Sequence, residues 1–254
     1  SRGLGDVYKR QSVRWALPPS KSHLIRALAL FSQSHQKVTL DNVAHSGEDV
    51  RAMRSCLAQM GVMFEDYDSN GNILRQGDET GFQPHPDAVQ WVLHGVGPEG
   101  FKQPEGVLNA MNSGTALRFL AGLVARIEGS VTLDGDHSLR QRDSAAMWDS
   151  LRQAGVEVSS AQGKEHLPVV VKGPWKKLQL EQGIDLDISR SSQPLSSWLL
   201  ASSALPCKVQ LNLIGKGVSN RHSKLTANMV RISGSANQLE STQCSLSPWI
   251  PQSE

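Results

Sequence analysis

The chain has 254 residues, 39% of them hydrophobic and 20% charged, which is ordinary for a globular protein and excludes a disordered or collagen-like chain. Lys and Arg number 26 against 24 Asp and Glu, and the net charge of +2 argues against a generally basic nucleic-acid binder. The length suits one large domain or two modest ones.

In chain order, the Gly-rich opening from Ser1 to Gln11 carries neither a dinucleotide fingerprint nor a P-loop. No hydrophobic period runs through it, so residues 1–11 read as a non-native leader, and no signal-peptide core is present. The segment SHLIRALALFS from Ser22 has helical periodicity, and VTLDN from Val38 is strand-like. Ser46 with Asp49 predicts a capping box opening the next helix, AMRSCLAQMGV at Ala52–Val62. Gly61 stands where that helix needs a left-handed residue, and Val62 opens a strand.

The stretch Gly71–Gly106 is rich in Gly, Pro and Asp and interrupts the pattern, apart from a short strand expected in VQWVLHGVG from Val89. The pattern then returns: helical TALRFLAGLVA from Thr115, strand-like VTLDG from Val131 and AMWDSLRQAGV at Ala146–Val156. The two eleven-residue windows align without gaps and share Ala, Met, Leu, Gln, Gly and Val, with Gly155 in the place of Gly61. A weaker third copy runs through SQPLSSWLLASSAL from Ser192, VQLNLIG from Val209 and HSKLTANMVRI from His222. The repeated unit predicts α/β packing with partly parallel strands. After Ile232 the chain turns polar, with Pro248 and Pro251, and reads as a linker or frayed tail. The expected division is therefore residues 1–11, 12–232 and 233–254.

The longest uncharged apolar stretch, Pro194–Cys207, contains four serines and falls short of the about 20 apolar residues that span a bilayer, so no membrane association is expected. Cys56, Cys207 and Cys244 are odd in number and widely spaced, which predicts reduced thiols and a cytoplasmic protein. The eight histidines show no i, i+4 pair, so neither a metal nor another cofactor is expected.

Each repeat starts with small or hydroxyl-bearing residues directly before a helix. They are Pro18-Pro19-Ser20-Lys21-Ser22 with Arg26 beyond, Asn112-Ser113-Gly114-Thr115 with Arg118 beyond, and Ser189-Arg190-Ser191-Ser192-Gln193. A helix N-terminus presents unpaired N–H groups and a positive dipole end, which suit phosphate or carboxylate. Any one start alone reads as an ordinary cap. Three at equivalent positions, each with a nearby cation, predict a shared polyanion site. Arg140-Gln141-Arg142 adds a second basic feature, which could equally be a solvated pair with Asp143 as a local partner.

LPPSKSHLIRALAL from Leu17, NSGTALRFL from Asn112, GDHSLRQR from Gly135 and SRSSQPLSSWLLA from Ser189 occur in an order that resembles the 5-enolpyruvylshikimate-3-phosphate synthase (3-phosphoshikimate 1-carboxyvinyltransferase) family, with a weaker match near Ser219. A related enolpyruvyl transferase acting on a UDP-amino sugar is an alternative, but there asparagine stands in the place of Ser22. The resemblance implies an inside-out α/β barrel-like lobe of three βαβαββ units about a pseudo-threefold axis, one lobe of a two-lobed fold. It implies enolpyruvyl transfer from phosphoenolpyruvate to shikimate 3-phosphate, a step of aromatic amino-acid biosynthesis.

Carried over onto this chain, Lys21 would contact both substrates, and Ser22 and Arg26 the hydroxyl and carboxylate side of the shikimate ester. Asn112, Gly114 and Arg142 would form the phosphoenolpyruvate pocket. Ser191, Ser192 and Ser219 would hold the 3-phosphate, with Gln193 between the substrates. Three positions depart from the family's pattern: Asp143 replaces a proline and would weaken anion binding at Arg142, Arg190 replaces a smaller residue, and His222 a tyrosine. The segment carrying the family's proton-transferring aspartate is also missing, and enolpyruvyl transfer needs a positioned acid/base. The expectation is a truncated lobe inactive alone; the alternative is a non-catalytic half-domain that binds shikimate 3-phosphate and works beside a complementary chain. A repeat-based interaction module remains a third reading.

Overall fold

The computed structural model describes residues 19–76, 83–160, 163, 166–217 and 220–252. The expected leader at 1–11 lies outside the described residues, as does Ser219.

The chain runs α1 (Lys21–Phe31), β1 (Lys37–Asp41), α2 (Glu48–Gln59), β2 (Met63–Tyr67), β3 (Ile73–Gln76) and β4 (Gln90–His94). It continues with β5 (Leu108–Asn109), α3 (Gly114–Val124), β6 (Gly129–Asp134), α4 (His137–Arg140), α5 (Ala145–Gln153), β7 (Glu157–Ser160) and β8 (Val169–Gly173). The last part comprises α6 (Lys177–Leu180), β9 (Ile184–Asp187), α7 (Gln193–Ala201), β10 (Val209–Ile214), α8 (Asn220–Ile232), β11 (Gln238–Leu239) and β12 (Gln243–Leu246).

The strands form three four-stranded sheets, ordered β1-β4-β2-β3, β5-β6-β8-β7 and β11-β12-β10-β9. One order recurs in all three: β1-β4-β2, β6-β8-β7 and β10-β12-β11. Pairing is mixed. The β5–β6 and β9–β10 pairs are parallel and the remaining ladders antiparallel, so the expectation of an α/β fold with partly parallel strands holds.

The helices that open the repeats occupy the interior. In α3 every residue except Thr115 is buried, and in α7 all but Gln193 are, as expected of helices apolar on all sides. These two helices pack on each other. At Gly122 a Cβ would lie 2.4 Å from Ser197 Oγ, so only glycine permits so close an approach.

The repeated helix ends share one backbone device. Gly61 (φ +95°) and Gly155 (φ +80°) adopt the left-handed conformation. In both, the glycine N–H reaches back three residues and the following valine's N–H reaches back five: Gly61 to Ala58 and Val62 to Leu57, Gly155 to Arg152 and Val156 to Leu151. Gly234 (φ +100°) ends α8 in the same way, with Gly234 N–H on Arg231 and Ser235 N–H on Val230.

Two expectations need correction. Part of the segment after Ile232 is regular strand and not a frayed tail: β12 pairs antiparallel with β10 from Val209↔Leu246 to Asn212↔Gln243, burying Cys244 and Leu246. The polar composition misleads because only alternate residues of this strand face inward. Ser46 makes no capping box either. Gly47 is the N-cap of α2 and no side chain caps that end, while Asp49 is paired elsewhere.

Candidate functional site

The starts of α1, α3 and α7 meet. A cavity of about 350 Å³ is lined by Lys21, Ser22 and Arg26 from the first, Thr115 from the second, and Arg190, Ser191, Ser192 and Gln193 from the third, with Ile25 and His222 beside them. The predicted convergence of the three starts is therefore present in the fold.

Their chemistry differs. Ser113 is a true cap, its Oγ accepting from Ala116 N–H at 3.1 Å. Ser20 and Ser192, the N-caps of α1 and α7, make no side-chain cap bond. Among the described residues, the hydroxyls of Ser22 and Ser192 have no protein partner. Ser191 Oγ accepts from Gln193 N–H at 3.2 Å, forming a short turn before α7.

Of the cations, Lys21 is exposed and its Nζ lies 2.9 Å from Asp49 Oδ2 at the start of α2, so an incoming anion competes with a carboxylate for it. Arg26 is 1% exposed. It donates from Nε to Thr226 Oγ1 at 2.7 Å and from Nη1 to Ser22 O at 2.8 Å, and it stands over the Phe119 ring. Burial pushes its pKa down to about 10, with no carboxylate to compensate. Arg26 thus borders the cavity while joining α1 to α8.

Asn112, Gly114 and Arg142 form an adjoining group outside the lining of this cavity. Arg142 Nη2 donates to Asn112 Oδ1. A Cβ on Gly114 would lie 2.8 Å from Arg118 Nη1, 3.5 Å from Arg142 Nη1 and 3.8 Å from Gln193 Oε1. Gln193 links the two groups, donating from Nε2 to Thr115 Oγ1 at 3.0 Å and accepting from Arg118 Nη1 at 2.6 Å. Burial lowers the pKa of Arg118, Asp143 raises it and Arg142 lowers it, which places both groups within electrostatic reach.

Thr115 and Arg190 stood in the helix starts read from the sequence but received no individual role there, and Asp49 was read only as part of a helix cap. Thr115 and Arg190 were legible in their motifs; the partners of Arg190 and Asp49 are supplied only by the fold. Asp143, expected to oppose anion binding at Arg142, has its carboxylate taken by Arg190 Nη1 at 2.7 Å. Among the described residues no group of three or more His, Cys, Asp or Glu could hold a metal ion. Nor is any described helix long and apolar enough to cross a membrane.

An α/β domain with a small basic cavity where three repeated helix starts meet is what the fold and the site define. Residues 8–236 match the family model EPSP synthase (3-phosphoshikimate 1-carboxyvinyltransferase). The chain belongs to this family. A 3-phosphoshikimate 1-carboxyvinyltransferase of Legionella pneumophila (strain Paris) is 35% identical over 139 residues, covering 55% of this chain and 30% of the relative. Its counterpart from Pseudomonas savastanoi pv. phaseolicola is 34% identical over 205 residues, covering 80% of this chain and 43% of the relative. EPSP synthase from Acinetobacter baumannii superposes with a TM-score of 0.73 at 24% identity, over 94% of this chain and 47% of that one; at this identity the likeness concerns the fold. The chain spans less than half the length of these relatives.

Proposed function

We propose that this chain is the lobe of a 3-phosphoshikimate 1-carboxyvinyltransferase that holds shikimate 3-phosphate and one side of phosphoenolpyruvate. Its three units stand about a pseudo-threefold axis as an inside-out α/β barrel, and the recurring sheet order with buried central helices supports that arrangement. Within the described residues the lobe takes in β12, since that strand completes the third sheet.

The observation that carries the reading is the cavity itself. Three family motifs, distant in sequence, bring Lys21 and Ser22, Thr115, and Ser191, Ser192 and Gln193 around one small space. Ser191, Ser192 and Ser219 donate to the 3-phosphate, Lys21 serves both anions, and Asn112, Gly114 and Arg142 receive the phosphoenolpyruvate side. Gln193 keeps the two groups in register through its bonds to Thr115 and Arg118. The three free thiols suit a reduced, cytoplasmic setting.

This chain supplies binding rather than proton transfer. Among the described residues no carboxylate lines the cavity, and enolpyruvyl transfer requires an acid to protonate the methylene and a base to deprotonate the adduct. Those groups come from a complementary lobe. Calorimetry with shikimate 3-phosphate tests the reading: saturable binding that Lys21→Ala abolishes, with no turnover on adding phosphoenolpyruvate, is the expected result. Absence of binding would remove it, and turnover by the 254-residue chain alone would overturn the division of labour.

A further inference from the structure

Arg190 and Asp143 meet in the fold across 47 residues of sequence, with Arg190 Nη1 2.7 Å from Asp143 Oδ2. Their side chains are 82% and 51% exposed, so the ion pair adds little to stability. Asp143 is nevertheless firmly held. Its carbonyl accepts from Arg118 Nη2 at 2.5 Å, and Oδ1 accepts from Ala145 N–H at 2.9 Å. The Ala145 bond and the neighbouring Arg190 lower the Asp143 pKa, which keeps the anchor charged.

Arg190 lines the cavity beside Ser191 and Ser192 and also a second hollow on the side of Asp143, so it stands in the wall between them. Only Nη1 has a partner; Nε and Nη2 have none among the described residues. A guanidinium is a planar fork that can engage a carboxylate on one edge and an oxyanion on another.

We infer that Arg190 is an additional anion-binding residue of this cavity, held by Asp143 with its free edge toward the phosphoryl group of the ligand. The inference rests on the proposed binding reading. It makes Asp143 a positioning residue instead of an obstacle.

The test is calorimetric titration of the full chain with shikimate 3-phosphate, and with inorganic phosphate as competitor, for the unaltered protein, Lys21→Ala, Arg190→Ala, Asp143→Asn and Asp143→Glu. Arg190→Ala should weaken both ligands about tenfold or more, the scale of one charge-assisted hydrogen bond, without a change in melting temperature. Asp143→Asn should weaken them less, and Asp143→Glu should restore affinity. Unchanged affinity in Arg190→Ala, while Lys21→Ala loses binding, would overturn this inference and leave the binding reading standing. Loss for shikimate 3-phosphate with inorganic phosphate unaffected would overturn the assignment to the phosphoryl group. Tighter binding in Asp143→Asn would overturn the positioning role. If the unaltered chain binds neither ligand, both readings fail.

Discussion

Arg118 Nη1 donates to Gln193 Oε1 at 2.6 Å, fastening the start of α3 to the start of α7. The same nitrogen reaches Gly114 O at 3.1 Å, and Nη2 reaches Asp143 O at 2.5 Å. With Arg118 only 8% exposed, its guanidinium finds its partners in the protein rather than in water. Arg118→Ala should cost about 2–4 kcal/mol in urea denaturation, by removing a buried side chain together with its three hydrogen bonds. Arg118→Lys should recover only part of that, since one ammonium cannot reproduce the fork.

Arg54 Nη1 and Asp66 Oδ1 form a buried ion pair at 2.7 Å, with side chains 3% and 0% exposed. The guanidinium stands 4.6 Å from the centroids of both the Phe64 and Trp91 rings. Asp66→Ala should cost about 3–5 kcal/mol, because it strands a buried cation. The second repeat fills the place of Arg54 with the buried Trp148. The double variant Arg54→Met, Asp66→Leu should therefore regain most of the loss, as read from the denaturation midpoint.

Glu65 gathers three neighbours on one face of the first sheet: Tyr67 Oη at 2.5 Å, His94 Nε2 at 2.6 Å and Lys37 Nζ at 3.4 Å. The Tyr67 bond, followed by His94 and Lys37, holds its pKa below the ordinary 4.5 against the opposing effect of burial. A carboxylate depressed in the folded state contributes stability above its unfolded pKa and loses it as pH falls through the folded value. The melting temperature of Glu65→Gln should lie below that of the unaltered chain at pH 7, and the gap should close as pH drops beneath 4.5.

Burial pushes the thiols of Cys56 and Cys244 up to about 12. Cys207 is only half-buried, and its pKa is also raised. Reactivity requires an accessible thiolate, so a disulfide reagent at pH 8 should label one thiol per folded chain, at Cys207, and all three in denaturant. Prompt labelling of Cys244 in the folded chain would contradict the pairing of β12 into the third sheet.

Much of this was legible in local sequence, since helix ends and strand openings follow from backbone rules acting over a few residues. Gly61 and Gly155 announced their left-handed caps because no other residue takes that conformation without cost. Gly234 followed the same rule but was hidden by the polar segment behind it. β12 owes its place to a ladder with Val209–Asn212, more than thirty residues back, and nothing within Gln243–Leu246 specifies that partner.

The charges of the site needed tertiary structure for a similar reason. The motifs show that Lys21, Arg26, Arg118, Arg142 and Arg190 lie near helix starts, because spacing along a chain is local. Which of them face a ligand depends on partners far away in sequence. Arg26 is taken up by Thr226 and Arg118 by Gln193, while Lys21 rests on Asp49 and Arg190 on Asp143. Hydrogen bonds and ion pairs act over a few ångströms, so the same residue type is a scaffold where the fold closes around it and a binding group where it stays open to solvent.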